Sequence, residues 1–185
     1  MRFRIVRLVF GLLMLGGLLA RADDFQQRVE KETFSLINQY RTAHDLPALT
    51  WSDAIAVEAR GHSRDMATGD VDFGHDGFKG RVEKIKAVLG GFGGAGENVF
   101  MTNDLNEVAR LAVETWLHSP HHLENIRGDY NYSAVGVWPD PHGTLYFTQI
   151  FFKREKTRAA SDAATEPELV TPFGMLTTPD PRARP

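Results

Sequence analysis

Phe25, Val29, Thr33, Leu36, Ile37 and Tyr40 recur at steps of three and four with charges between them, which predicts an amphipathic helix from about Asp24 to His44. Asp45-Leu46-Pro47 ends it, because proline disfavours helical backbone in the residue before it. After the extended piece Ala48–Trp51, Ser52 or Asp53 can cap a second helix that runs to about Thr68 and stops at Gly69. Its inner face would be Ile55, Ala59, His62 and Met66. A third, shorter helix is expected from Gly80 to Leu89, with Val82, Ile85 and Leu89 inward and Gly90 beyond its end. The glycine-rich run Gly90–Gly96 frees the backbone for close approach and leads into a strand that begins near Glu97. Asp104 and Glu107 have capping-box spacing ahead of Val108, Leu111, Ala112, Thr115 and Trp116, a fourth helix. Ser119-Pro120 opens a further helical turn, with Ser119 as cap and Pro120 in the first position. Two strands, Tyr132–Trp138 and Thr144–Phe152, flank the turn Pro139–Gly143 as a hairpin.

Helices separated by antiparallel strands point to an α+β domain in which helices cover a small antiparallel sheet. The alternation of strand and helix that a doubly wound parallel sheet requires is missing. No internal repeat is evident.

The ends of the chain read differently. Arg2, Arg4 and Arg7 precede an apolar run, Leu8–Leu19, and Ala20-Arg21-Ala22 has the small-residue pattern of a cleavage site. The run is too short for a permanent bilayer anchor, so residues 1–22 read as a signal peptide cut after Ala22, which implies a secreted or periplasmic protein. Residues 23–154 then form the domain. Residues 155–185 are rich in proline and lack apolar periodicity, and they read as a disordered tail.

Composition narrows the partners. The 185 residues are 42% hydrophobic and 24% charged, ordinary for one globular domain. Cleavage after Ala22 leaves 17 basic against 24 acidic residues, a formal charge of −7. That balance gives nucleic acid or an anionic membrane no electrostatic hold. Cysteine is absent, so an exported chain of this kind folds on its apolar core alone and has no thiol to carry a lipid.

Glu97 has two readings, a solvated turn or a carboxylate in a cleft with partners, because burying it alone is expensive. Of seven histidines, His62 falls on an apolar helix face and reads as a core residue, while His44 and His142 fall in loops. His75, after Phe73-Gly74, has no packing reason to be where it is. His118, His121 and His122 cluster, which invites a metal reading. Pro120, however, separates His118 from the helix of His122, and no Glu follows His118, so the H-E-x-x-H pattern fails. A serine nucleophile at Ser119 is disfavoured: capping explains that residue, and no G-x-S-x-G elbow exists.

Leu36–Arg41 and Leu46–Trp51 resemble the opening of the CAP superfamily, also called SCP-like or pathogenesis-related-type. The likeness continues through Ala56–Met66, Phe73-Gly74-His75, Gly96–Val99, Trp116–Ile126, Gly136-Val137-Trp138 and Phe147–Phe151, covering about Phe34 to Phe152. It implies an α-β-α sandwich, export, and a cleft with two His and two Glu that binds zinc in some members. His75 and Glu97 match that pattern. Its second Glu is Ser119 here and its second His is Tyr146, so these two are read only as cleft neighbours. His122, in the Ser-Pro-x-His position of bacterial members, becomes the second imidazole.

Three functional readings follow. In the first, a binding module of the cell envelope holds zinc, another divalent cation or a small polar ligand through His75, His122 and Glu97, with an envelope component as partner. In the second, a metal-assisted hydrolase uses Glu97 as general base. The third is lipid or sterol binding, known in the eukaryotic branch, for which nothing in this chain marks a groove. A purely structural role, in which the three side chains only orient loops, stands beside them.

Overall fold

The computed structural model describes residues 24–155. The signal peptide at 1–22 lies outside this range, as does all but the first residue of the tail read at 155–185. Five helices and four strands follow in the order α1 (24–43), β1 (Thr50–Trp51), α2 (Asp53–Thr68), α3 (Phe78–Leu89), β2 (Phe92–Thr102), α4 (Val108–Leu117), α5 (Pro120–Arg127), β3 (Tyr132–Pro139) and β4 (Leu145–Arg154). The sheet order is β1-β3-β4-β2. β2 and β3 run antiparallel to β4, as expected, but the two-residue β1 pairs parallel to β3. The sheet is therefore mixed, with an antiparallel body.

Side chains alternate between the two faces of a strand, and this splits the core. On one face Ala134, Ile150 and Phe152 pack against Ile55, Ala56 and Ala59 of α2 and Val82 and Ile85 of α3. On the other, Val135, Val137, Phe147 and Phe151 meet α1, α4 and α5 through Ile37, Ala112, Trp116 and Ile126. The expected layering of helices on both sides of a sheet is what forms. α2 lies so close to β3 at Gly136 that a Cβ there would collide with the backbone of Ala59 and Arg60.

Polar side chains lock α1 to both layers. Glu30, fully buried, accepts three hydrogen bonds from Arg60 and one from the Val137 amide at 3.1 Å. Arg41, also buried, donates to the carbonyls of Pro47, Ile126 and Gly128 at 2.9, 2.6 and 3.0 Å.

Local signals held at most boundaries. Ser52 caps α2 by accepting from the Ile55 amide, Gly69 closes it in the left-handed region, and Pro120 opens α5. Four expectations change, one of them the start of β2, which takes in the glycine run from Phe92 rather than beginning near Glu97. The capping box before α4 does not form, because Asp104 accepts from the Asn106 amide instead and Glu107 enters the helix at φ 43° with no side-chain cap. Ser119 occupies the cap position of α5, but its hydroxyl makes no capping bond. α3 also starts two residues earlier than its periodicity indicates, at Phe78.

Candidate functional site

β2 is an edge strand, and its alternation sends Glu97 to the α2–α3 face and Asn98 to the α1–α4–α5 face. The two helical layers therefore come together around one short stretch of chain. Gly96 lets α5 and the loop after it come close to β2: a Cβ there would stand 2.6 Å from Asn125 Oδ1 and 2.8 Å from the Tyr130 hydroxyl.

Glu97 is 5% exposed, and its carboxylate is fully engaged. Arg81 of α3 donates from Nε to Oε2 at 3.0 Å and from Nη2 to Oε1 and Oε2 at 2.8 Å. His75 Nδ1 sits 3.0 Å from Oε1, a bond in which the imidazole N–H is the donor. Burial of this carboxylate is tolerable because a guanidinium matches both its oxygens. Arg81 also holds the His75 loop itself, donating from Nη1 to the Asp76 carbonyl at 2.7 Å.

His75 is half-exposed, with 53% of its side chain accessible. Because Nδ1 is spent on Glu97, the tautomer leaves the Nε2 lone pair free. His122 approaches from α5 on the other layer, its Nδ1 buried with no hydrogen-bond partner. Burial, and then the neighbouring His75 and His121, push the His122 pKa down and favour its neutral form. Asn98 fixes the start of α5 by donating to the His122 carbonyl at 3.2 Å, while Asn125 donates to the Glu97 carbonyl at 3.0 Å and to Asn98 Oδ1 at 2.9 Å.

His75 and Glu97 are thus joined directly, and His122 lies near enough to His75 to feel its charge. Tyr146 stands opposite Met101 in the sheet and its ring meets Phe73, centroids 6.4 Å apart, so it borders the segment that carries His75. Ser119 lines a shallow hollow with Leu111, Glu114, Thr115 and His118, and among the described residues no side-chain hydrogen bond joins it to this group. His62 is buried as expected of a core residue, yet it also serves the site. Its Nε2 donates to the Gly74 carbonyl at 2.9 Å and lies 4.0 Å from Glu97 Oε1. Burial lowers its pKa, and Arg81 adds to the effect.

No site role is legible in the sequence for Arg81, nor for Asn98 and Asn125, although the last two fall in the family-like segments Gly96–Val99 and Trp116–Ile126. The available signal for Arg81 is its spacing, since it falls one helical turn before Ile85 on the stripe that Val82 also follows.

The donor set limits what a metal could find here. Among the described residues no group of three or more His, Cys, Asp or Glu side chains is arranged to hold a metal ion. Both oxygens of Glu97 belong to Arg81 and His75, which leaves the two imidazoles as donors and the remaining coordination positions to water or ligand. The same engagement leaves Glu97 no free oxygen with which to act as a general base, so the carboxylate orients His75 from behind.

Comparison with known proteins agrees with the architecture. The sequence pattern of the CAP family, described as the cysteine-rich secretory protein family, matches residues 34–151. The uncharacterized membrane protein YlbC of Bacillus subtilis is 34% identical over 134 residues, 70% of this chain and 36% of its own length. A crystal structure of an extracellular protein containing a SCP domain from Bacillus anthracis is 31% identical, with a TM-score of 0.57 over 70% of this chain and 41% of that one. An outer surface protein of Borrelia burgdorferi shares the fold at 21% identity and a TM-score of 0.53, covering 66% of this chain and 90% of that one. The chain spans less than half the length of the first two relatives. With the match running through both helical layers, the sheet and the His75–Glu97 pair, the chain belongs to the CAP family, although it contains no cysteine.

Proposed function

We propose that this CAP domain is a binding module of the cell envelope that takes a small polar ligand or a divalent cation such as zinc between His75 and His122. One observation carries the reading. His75 is held in a single tautomer by a carboxylate that is itself clamped by Arg81, while His122 presents a buried nitrogen with no partner. A ring held by a carboxylate behind it is the usual support of an imidazole that ligates in front. A buried polar atom without a partner is costly and is relieved by a bound ligand. Zinc, when bound, would supply positive charge and open coordination positions for a further oxygen or nitrogen ligand.

The leader pattern at residues 1–22, and similarity to an extracellular and an outer surface protein, support an envelope setting. Among the described residues no helix is long and apolar enough to cross a membrane.

Calorimetric titration of zinc into the exported protein tests the proposal. Saturable binding that disappears in the double variant His75→Ala plus His122→Ala is expected. Equal binding by the wild type and the double variant, or none by the wild type, removes the cation from the proposal. In the last case the same pair of proteins is compared for binding to isolated envelope material. Retention that does not depend on the two imidazoles then overturns the site.

A further inference from the structure

Strand alternation sends Glu97 and Asn98 to opposite faces, and so gives two adjacent residues of β2 a hold on both imidazole-bearing segments. On the α2–α3 face the Glu97 carboxylate accepts from the His75 ring at 3.0 Å. On the other face the Asn98 amide donates to the His122 carbonyl at 3.2 Å. β2 pairs with β4 residue by residue here, Glu97 with Ile150 and Asn98 with Gln149, so the two anchor points keep a fixed separation.

α5 returns the contact. Asn125 spends its two N–H groups on the same dipeptide, one on the Glu97 carbonyl at 3.0 Å and one on Asn98 Oδ1 at 2.9 Å. The carbonyls of Glu97 and His122 can only accept, so each carboxamide has a single orientation that satisfies the set. Packing does not call for these amides. Asn98 is fully buried on the face where Val135, Phe147 and Phe151 form the core, and an apolar side chain would fill that place without the cost of burying a carboxamide. Nor does the His122 carbonyl need Asn98, since within α5 it accepts from the amide four residues on. What the amides add is direction, because hydrogen bonds fix a length and an angle that apolar contact leaves loose.

We infer that Asn98 and Asn125 are positioning residues, whose reciprocal clamp between β2 and α5 sets the gap between His75 and His122 and thereby the affinity for what the two rings share. The inference rests on the proposal that these rings form one binding site. Both amides act through the backbone that bears the imidazoles, without touching the ligand.

The absence of cysteine makes the gap measurable. In the full exported chain carrying His75→Cys plus His122→Cys, spin labels on the two thiols report their separation by dipolar electron-spin spectroscopy. The clamp survives these substitutions, because it holds residue 122 by its backbone. One narrow distance population is expected. Asn98→Ala and Gly96→Ala are each expected to broaden or shift it, the second by crowding Asn125 with both amides still present. Val29→Ala, a cavity in the buried part of α1 outside the clamp, is the destabilised control and is expected to leave the distance unchanged. In the unlabelled chain, calorimetric zinc affinity is expected to fall at least about tenfold in Asn98→Ala and in Asn125→Ala, as for other residues that hold a ligand in place. The double variant is expected to lose little more, because the two amides act as one unit. An unchanged distance in Asn98→Ala, equal broadening in Val29→Ala, or undiminished zinc affinity in Asn98→Ala overturns the inference. Should Asn98→Ala fail to fold, the same readings on Asn125→Ala decide. A wild type that binds no zinc, with distances that respond as stated, upholds the clamp and removes only the cation.

Discussion

Arg81 decides whether Glu97 can be buried. With 9% of the Arg81 side chain and 1% of the Glu97 side chain accessible, neither partner can be rehydrated in place. Removing one member of such a pair strands the other, so Arg81→Ala should cost about 3–5 kcal/mol in urea unfolding. The double variant Arg81→Met plus Glu97→Gln removes both charges and should recover most of that loss. If the single and double variants are equally unstable, the pair is not the reason Glu97 is tolerated. His62 makes a prediction of the opposite electrostatic kind. Burial, helped by Arg81 and opposed by the Gly74 bond, Glu97 and Asp65, holds its folded pKa below the unfolded value of about 6.5. The unfolded chain therefore binds the proton first as pH falls. The stability tied to neutral His62 is complete above about pH 7 and is lost as pH drops through 6.5 toward the lower folded value. The slope this adds is at most about 1.4 kcal/mol per pH unit, and His62→Asn should flatten the urea-unfolding profile between pH 7 and 5 by up to that amount. These residues also mark how far sequence reading reaches. His75 was legible because it has no packing role where it stands, and Glu97 because it matches the family pattern in Gly96–Val99. Arg81 was not, because a basic residue in a helix is ordinarily solvated, and only a carboxylate 16 positions later in the chain gives it a buried partner.

Where elements meet, glycine sets the spacing. Gly136 on β3 has the α2 backbone directly above it, and the Ser63 hydroxyl donates to its carbonyl at 2.9 Å. Gly136→Ala would force α2 off the sheet, and overpacking of this kind should cost at least about 2 kcal/mol. Gly61, the residue that follows Arg60 in α2, has no atom within 4 Å of an added Cβ, and Gly61→Ala should instead stabilise by about 0.5–1 kcal/mol through helix propensity. Thermal unfolding of the two variants separates close packing from propensity; a shift of both in the same direction contradicts this account of α2. The boundaries of α2 were legible because Ser52 and Gly69 act through the bonds of their own turn. The start of α4 was not, since Asp104 has a competing local acceptor role toward Asn106 that the capping-box spacing does not reveal. β1 shows the same limit from another side. Two residues have no periodicity of their own, and their parallel pairing exists only because the Thr50 amide reaches the Asn131 carbonyl at 2.9 Å and the Ser52 amide the Ser133 carbonyl at 3.2 Å.

Across the whole domain, a chain without disulfides has to tie its first helix to its last strands by noncovalent means. Arg41 does much of this. It belongs to α1, yet two of its bonds reach 85 and 87 positions along the chain, to the carbonyls of Ile126 and Gly128 that end α5. Among the described residues no carboxylate forms an ion pair with it; burial lowers its pKa and Asp129 works against this. The guanidinium is nonetheless suited to the position, because a planar group that stays charged can satisfy several carbonyls in fixed directions. Lysine at this position keeps the charge but loses that geometry. At about 1.5–3 kcal/mol for each hydrogen bond to a charged donor, offset by the bonds an ammonium can still make, Arg41→Lys should destabilise by about 3 kcal/mol. The location of the damage is the sharper part of the prediction. If Arg41 joins α1 to the α5–β3 connection as one cooperative unit, hydrogen exchange of the Val137 amide, which Glu30 of α1 also holds, should accelerate in step with the global loss. Faster exchange limited to residues 126–130, with Val137 unchanged, would show instead that Arg41 only caps a local turn.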